Sequence, residues 1–170
     1  MSAYRERMLS LLSDRSPGEA MDAARKRIEE LVDQLGEEGF SRSYGPGKWT
    51  AREILVHLAD AELATGFRIR QALAEENHTV QVWDQDLWAT RYGDFDARLA
   101  ARTFCALRSW NLALIRTLSA EDLARPVMHP ERGIESIGLM IRMLAGHDLN
   151  HLAQLEQLAG QKKEAATTEC

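Results

Sequence analysis

Apolar positions along this chain recur at intervals of three and four, the period of a helix with one buried face, and they do so over four long segments. The first opens with Ser16-Pro17-Gly18-Glu19. Ser16 is a candidate N-cap, Pro17 suits the first helical position because its missing N–H would be unpaired there, and Glu19 completes a capping box. Ala20, Ala24, Ile28, Leu31 and Leu35 follow on one face, with Gly36 as the expected stop. A shorter amphipathic helix over about residues 3–13 precedes it. The second helix is introduced by the loop "YGPGKW" and a capping box of Thr50 and Glu53, after which Ile54, Leu58, Ala61, Thr65, Ile69 and Leu73 share a face.

The third segment is expected from near Asp94 to about Leu118, with Leu99, Thr103, Leu107, Trp110 and Leu114 as its stripe. The fourth runs from near Ser136 to Leu158 with Gly160 as its stop, and Ile137, Leu144, His151, Leu155 and Leu158 fall within one face. Nowhere do Val and Ile alternate with polar residues over a strand's length, so no sheet is expected. The pattern predicts an all-α four-helix bundle with a long connection, about residues 74–93, between the second and third long helices. That connection, "HTVQVWDQDLWATRYG", is too aromatic for an idle linker and is expected to pack across the bundle mouth.

Length adds that 170 residues suit one domain, 1–170, with its core over about 16–160. A net charge of −5 and a pI near 5.6 argue against nucleic-acid binding, which calls for a basic surface. The charged N-terminus lacks a signal peptide's apolar run, and no stretch is apolar enough to span a bilayer. Cys105 and Cys170 make no disulfide framework, so the expected compartment is the cytoplasm, with Cys105 packed in a helix.

Candidate chemistry begins in "AGHDLNHLAQLEQL", where His147 and His151 stand four apart on the fourth helix. Side chains so spaced lie roughly 5–6 Å apart at Cβ, close enough to direct two nitrogens at one ion about 2.0–2.1 Å from each. His57, in "EILVHLADAE" at the edge of the second helix's apolar face, is a third candidate. Three neutral histidines would leave a coordination position open, as catalytic sites do. Spacing alone leaves a second reading open, in which these are ordinary hydrogen-bonded histidines. His78 and His129 fall in expected loops and are read as facing solvent. Competing motifs fail on detail: "HDLNH" lacks the Glu of a zinc protease, helix two offers Glu53 and His57 four apart instead of three, and "GPGK" is no phosphate loop.

"GKWTAREILVHLADAE", followed after a helical gap by "LSAEDLARPVMHPERG" and "MLAGHDLNHLAQLEQL", resembles the DinB superfamily with its YfiT-like members, in the right order over roughly residues 16–160. The resemblance implies an up-down-down-up four-helix bundle holding a divalent metal, nickel or zinc, between helices two and four. The family's three ligand positions correspond to His57, His147 and His151. It further implies a metal-dependent transferase joining a low-molecular-weight thiol, such as the bacillithiol used by characterised members, to an electrophile; separately, exposed helix faces of such bundles often pair, so a homodimer is expected. A cation beside a thiol favours the nucleophilic thiolate. Asp60, Asp148 and Gln154 are expected to orient ligands, and Trp83, Trp88, Tyr92 and Trp110 to wall the bundle mouth. Two other readings stand beside this one: a metal-dependent hydrolase on the same residues, and a non-enzymatic helical binding or dimerisation module.

Overall fold

Most of the helices start where a side chain accepts from amide groups that no helical carbonyl reaches. The computed structural model describes residues 3–167, with side chains described for residues 3–160. Its elements are α1 (Ala3–Leu12), α2 (Pro17–Gly39), α3 (Ala51–Ala74), α4 (Gln85–Ala89), α5 (Ala97–Ile115), α6 (Ala120–Ala124), strands β1 (Pro126–His129) and β2 (Gly133–Ser136), and α7 (Ile137–Thr167). The Thr50–Glu53 capping box forms as expected: the Thr50 N–H donates to Glu53 Oε2 at 2.7 Å and the Glu53 N–H returns to Thr50 Oγ1 at 3.3 Å. Ser16 sits at the N-cap of α2 but makes no side-chain cap bond, so the box expected with Glu19 is absent. Asp96 caps α5 by accepting from the Leu99 N–H, which moves that helix's start from Asp94 to Ala97.

The long helices close a ring: α2 packs on α5 and α7, and α3 packs on α5 and α7. This is the four-helix bundle read from the periodicity, with α3 and α5 joined by the long connection. Helix α1 lies along α7.

Three further boundaries differ from expectation. Gly36 does not end α2: at φ +61°, ψ −177° it breaks the helical path, and helical turns resume to Gly39. Helix α7 continues past Gly160 to Thr167, and α5 ends at Ile115, short of Leu118. A hairpin also stands where no sheet was expected, β1 pairing antiparallel with β2 from Pro126–Ser136 to His129–Gly133. Its strands are too short to show alternation, and Gly133 at φ +79° supplies the left-handed turn residue. The hairpin ties the long connection to the bundle, because Val80 N–H donates to Met128 O and Met128 N–H to His78 O, both at 2.9 Å.

The buried face of α5 is rotated from the expected stripe. Leu99 and Trp110 are exposed, at 52 % and 68 %, while Ala97, Ala101, Phe104, Arg108 and Leu112 face inward. Apolar packing divides into two clusters. One gathers Ile28, Leu31, Ile54, Leu58, Phe104 and Leu155; the other gathers Met21, Ile69, Leu112, Ile137, Ile141 and Leu144. On α3, α5 and α7 the stretch between the two clusters carries buried polar side chains: Glu62, then Arg108 and Asn111, then His147, Asp148 and His151.

Helices α1 and α7 touch main chain to side-chain-free main chain at Gly146, where an added Cβ would overlap the Met8 carbonyl. Gly146→Ala should therefore push α1 outward and cost about 1–3 kcal/mol, the usual range for overpacking. Urea unfolding reads the loss, and faster tryptic cleavage at Arg5 or Arg7 would place it in α1. Unchanged stability together with unchanged cleavage would contradict the close approach.

Candidate metal centre

Helix α3 brings in His57 and α7 brings in His147 and His151, one turn apart. All three are almost wholly buried, and their ligand-capable nitrogens lie within 4.8 Å of one another. The ring centroids are 4.9 Å apart for His57–His147, 4.9 Å for His57–His151 and 4.5 Å for His147–His151. The Nε2 atoms of His57 and His147 are 2.8 Å apart. Two ligands bound at 2.0–2.1 Å and at angles of 90–109° lie about 2.9–3.4 Å apart, so these nitrogens already stand at nearly ligand separation. A divalent cation fits this donor set.

Neighbours fix the rings. His151 donates from Nδ1 to Gln154 Oε1 at 2.7 Å, and the Gln154 amide donates in turn to the Tyr44 hydroxyl at 3.2 Å. A carboxamide oxygen can only accept, so the proton sits on Nδ1 and Nε2 keeps its lone pair. The Trp49 indole packs against two of the imidazoles, 4.7 Å from the His57 ring and stacked 6.2 Å from that of His151. Of the three residues expected to orient ligands, Gln154 touches His151 directly. Asp148 stands beside His147, with its Oδ1 3.8 Å from Nδ1, and neither atom has a hydrogen-bond partner. Asp60 is one step removed: it lies beside Tyr92, whose ring is 6.3 Å from that of His57.

Behind the imidazoles runs a fully buried charged cluster. Arg108 donates from Nε and Nη2 to Glu62 Oε2 at 3.0 and 2.6 Å, and from Nη1 to Asp148 Oδ2 at 2.6 Å and to the Met21 carbonyl at 3.2 Å. Asn111 donates to Glu62 Oε1 at 2.9 Å. This arginine therefore joins all four long helices and holds the carboxylate that faces His147. Burial alone would raise the Asp148 carboxyl, but Arg108 and His147 beside it outweigh that and hold it below the usual carboxylate range.

In front of the imidazoles, a cleft enclosing about 230 Å³ runs between α3 and α7. Trp83 forms part of its wall, stacked 5.8 Å from His57 and 4.8 Å from Trp88, and Tyr92 is buried beside the triad, so the aromatic connection does reach the mouth. Trp110 does not: it lies on the outside of α5, within cation–π range of Arg70. His78 is largely covered and bonded to Glu75 at 2.6 Å, and His129 is buried in β1, accepting from the Glu131 and Arg132 N–H groups. Neither faces solvent as the sequence implied, and neither joins the triad. Cys105 is buried in α5, and burial first, then the neighbouring Glu29, pushes its thiol up to about 12. Cys170 lies outside the described residues.

Burial, reinforced by the neighbouring imidazoles, drives His57 well below the ordinary range and His151 down to about 3. Both are therefore neutral near pH 7, the form that binds metal. In the metal-free protein the unfolded chain takes up these protons near pH 6.5 while the folded chain refuses them. Stability should thus fall as pH drops below about 6.5, by up to about 1.4 kcal/mol per pH unit for each such histidine. Thermal melts of EDTA-treated protein between pH 7.5 and 5.5 check this, with His151→Gln expected to show a shallower decline.

With this geometry in view, three comparisons bear on kinship. A family model described as the DinB superfamily matches residues 20–155, a span that contains all three histidines. "Putative metal-dependent hydrolase OB0782" of Oceanobacillus iheyensis is 33% identical over 136 residues, 79% of either chain. "Putative metal-dependent hydrolase BCB4264_A2719" of Bacillus cereus is 26% identical over 152 residues, 82% of this chain and 86% of its own. Among solved structures, YfiT from Bacillus subtilis, described as "a probable metal-dependent hydrolase with an unusual four-helix bundle topology", aligns with a TM-score of 0.78. That alignment covers 96% of this chain and 90% of YfiT at 19% identity, so it speaks to the fold. Sequence match and fold agree across the same helices, and the chain belongs to the DinB superfamily.

Proposed function

We propose that this protein is a divalent-metal-dependent hydrolase of small molecules, with His57, His147 and His151 holding the ion. The observation that carries the reading is the convergence of three buried imidazoles at one side of a cleft large enough for a small substrate. A divalent ion, zinc or nickel, held by His57, His147 and His151 would supply Lewis acidity and lower the pKa of a small nucleophile. The chain's own residues do the rest. Gln154 and Tyr44 hold the His151 tautomer, Asp148 faces His147 under the control of Arg108, and Trp49 and Trp83 keep bulk water from the rings. The names of the relatives from Oceanobacillus and Bacillus support the hydrolytic reading.

A thiol as the nucleophile, giving a transferase, is the second reading. It is favoured by one feature: no carboxylate stands among the described residues lining the cleft to take a proton from water. A thiol needs less help, since its own pKa is near 8.5.

Zinc- or nickel-loaded protein, purified without a histidine tag, should be assayed against a panel of esters and amides. Parallel reactions should contain an electrophile with and without cysteine, bacillithiol or mycothiol. Thiol-independent, metal-dependent turnover supports the hydrolase. Turnover only with a thiol moves the assignment to a transferase, and a protein that takes up neither ion overturns both.

A further inference from the structure

The cleft in front of the imidazoles is not electrically neutral along its length. His57, Ala61, Thr65 and Arg68 line it from α3, at steps that keep them on one helical face, and Met140, Leu144 and His147 line it from α7. Arg68 follows His57 by eleven residues, about 16 Å along the helix at 1.5 Å per residue. The same end receives Arg132 from the β1–β2 turn. The cleft is therefore a trough with the imidazoles of His57 and His147 toward one end and two guanidinium groups toward the other.

The charges at that far end do not cancel. Glu135, itself buried, accepts from Arg132 in bidentate fashion at 2.8 and 2.9 Å, so Arg132 has its carboxylate. Arg68 donates to the Gln81 carbonyl and, among the described residues, forms no ion pair. Burial, then the nearby Arg132, lowers the Arg68 pKa, as expected where two like charges converge in a partly dry cleft. Arg68 has donors beyond the one given to Gln81, in the planar arrangement that suits a carboxylate, while Arg132, whose Nε and Nη2 are held by Glu135, adds Nη1 and its charge.

We propose that the cleft selects acidic substrates, with Arg68 and Arg132 holding a carboxylate while the reacting group lies several bonds away at the imidazoles. This rests on the metal-site reading above and adds the substrate class to it. Arg68 and Arg132 are binding residues in this scheme, remote from the reacting atoms. Between the two ends Ala61, Met140, Met143 and Leu144 give the cleft an apolar side, interrupted by Thr65, so it accommodates a hydrocarbon spacer.

The test compares the monohydroxamates of succinic, adipic and suberic acid with hydroxamates of the same length that end in a methyl group. Calorimetric titration into zinc-loaded protein should show the best acid binding at least about tenfold tighter than its neutral counterpart, the 1.4 kcal/mol equivalent of one guanidinium–carboxylate contact. In Arg68→Gln that ratio should fall below about threefold, with zinc content unchanged. A wild-type ratio near unity, or a ratio that survives the substitution, overturns the proposal. If zinc or the hydroxamates fail to bind, the metal reading fails separately, and adipate is titrated into metal-free protein by NMR. Saturable amide shifts around Arg68 and Arg132 in the wild type but not in Arg68→Gln then uphold the subsite, and their absence overturns it.

Discussion

Replacing Arg108 with methionine should destabilise the protein by about 3–5 kcal/mol, the range seen when one partner of a buried ion pair is removed. Arg108 is 0 % exposed, and so is Glu62, while Asp148 is 1 % exposed. Methionine approximates the aliphatic stem but leaves both buried carboxylates without the cation that pairs them. Urea unfolding at pH 8 and at pH 5 separates the causes. The loss should be smaller at the lower pH, where the stranded carboxylates can take up protons and cease to be charges. An equal loss at both values would point to lost packing. A triple variant, Glu62→Leu with Arg108→Met and Asp148→Leu, should recover much of the stability, because desolvating three charged groups is costly even when they pair well. It should still bind metal about 10–100-fold more weakly than the parent, since nothing would then face His147. A stable triple variant with undiminished metal affinity would make the cluster purely structural.

The second large effect is loss of the ion from His151→Ala. If three ligands share a binding free energy of roughly 10–16 kcal/mol, as in structural zinc sites, each is worth on the order of a thousandfold in affinity. Elemental analysis should find close to one equivalent of divalent metal in the parent and almost none in the variant after the same dialysis. Metal should also raise the melting temperature of the parent alone, by the stabilisation that mass action gives any ligand of the native state. His57→Ala should behave likewise although it lies on a different helix, and that agreement distinguishes one shared site from two independent weak ones. Parent protein that contains no metal and refuses added zinc and nickel would leave the three imidazoles as core histidines.

The histidines were legible because their spacing has a direct geometric meaning. His147 and His151 are one turn apart whatever surrounds them, and His57 stands at the edge of the second helix's apolar face, where the resemblance also places a ligand. Gln154 was legible for the same reason. The charged cluster was not. Arg108 lies in "CALRSWNLAL" among residues that also satisfy a solvent-facing arginine, and its burial depends on carboxylates 46 residues before it and 40 after it. Giving every charge to water turned the reading of α5 toward Leu99 and Trp110, both of which are exposed. Trp49 was noticed only as the neighbour of a capping threonine, although a tryptophan next to a helix start that carries a ligand two turns on is in reach of that ligand. The hairpin escaped because its strands, PVMH and GIES, are held mainly by the long connection and the start of α7, contacts that no local pattern encodes.

The polar level between the two apolar clusters has a mechanical consequence. Leucines and isoleucines tolerate a helix that slides by one turn, about 5.4 Å, because another apolar residue takes the vacated place. Charges do not. A one-turn slip of α3, α5 or α7 would drive Glu62, Arg108 or Asp148 into hydrocarbon and separate it from its partner. The cluster thus permits a single axial alignment of the long helices, in the way one buried polar residue fixes register in a coiled coil. That alignment is also the one in which His57 of one helix meets His147 and His151 of another. Sequences that drift elsewhere in the bundle can therefore keep the imidazoles in line for as long as they keep the arginine and its two acids.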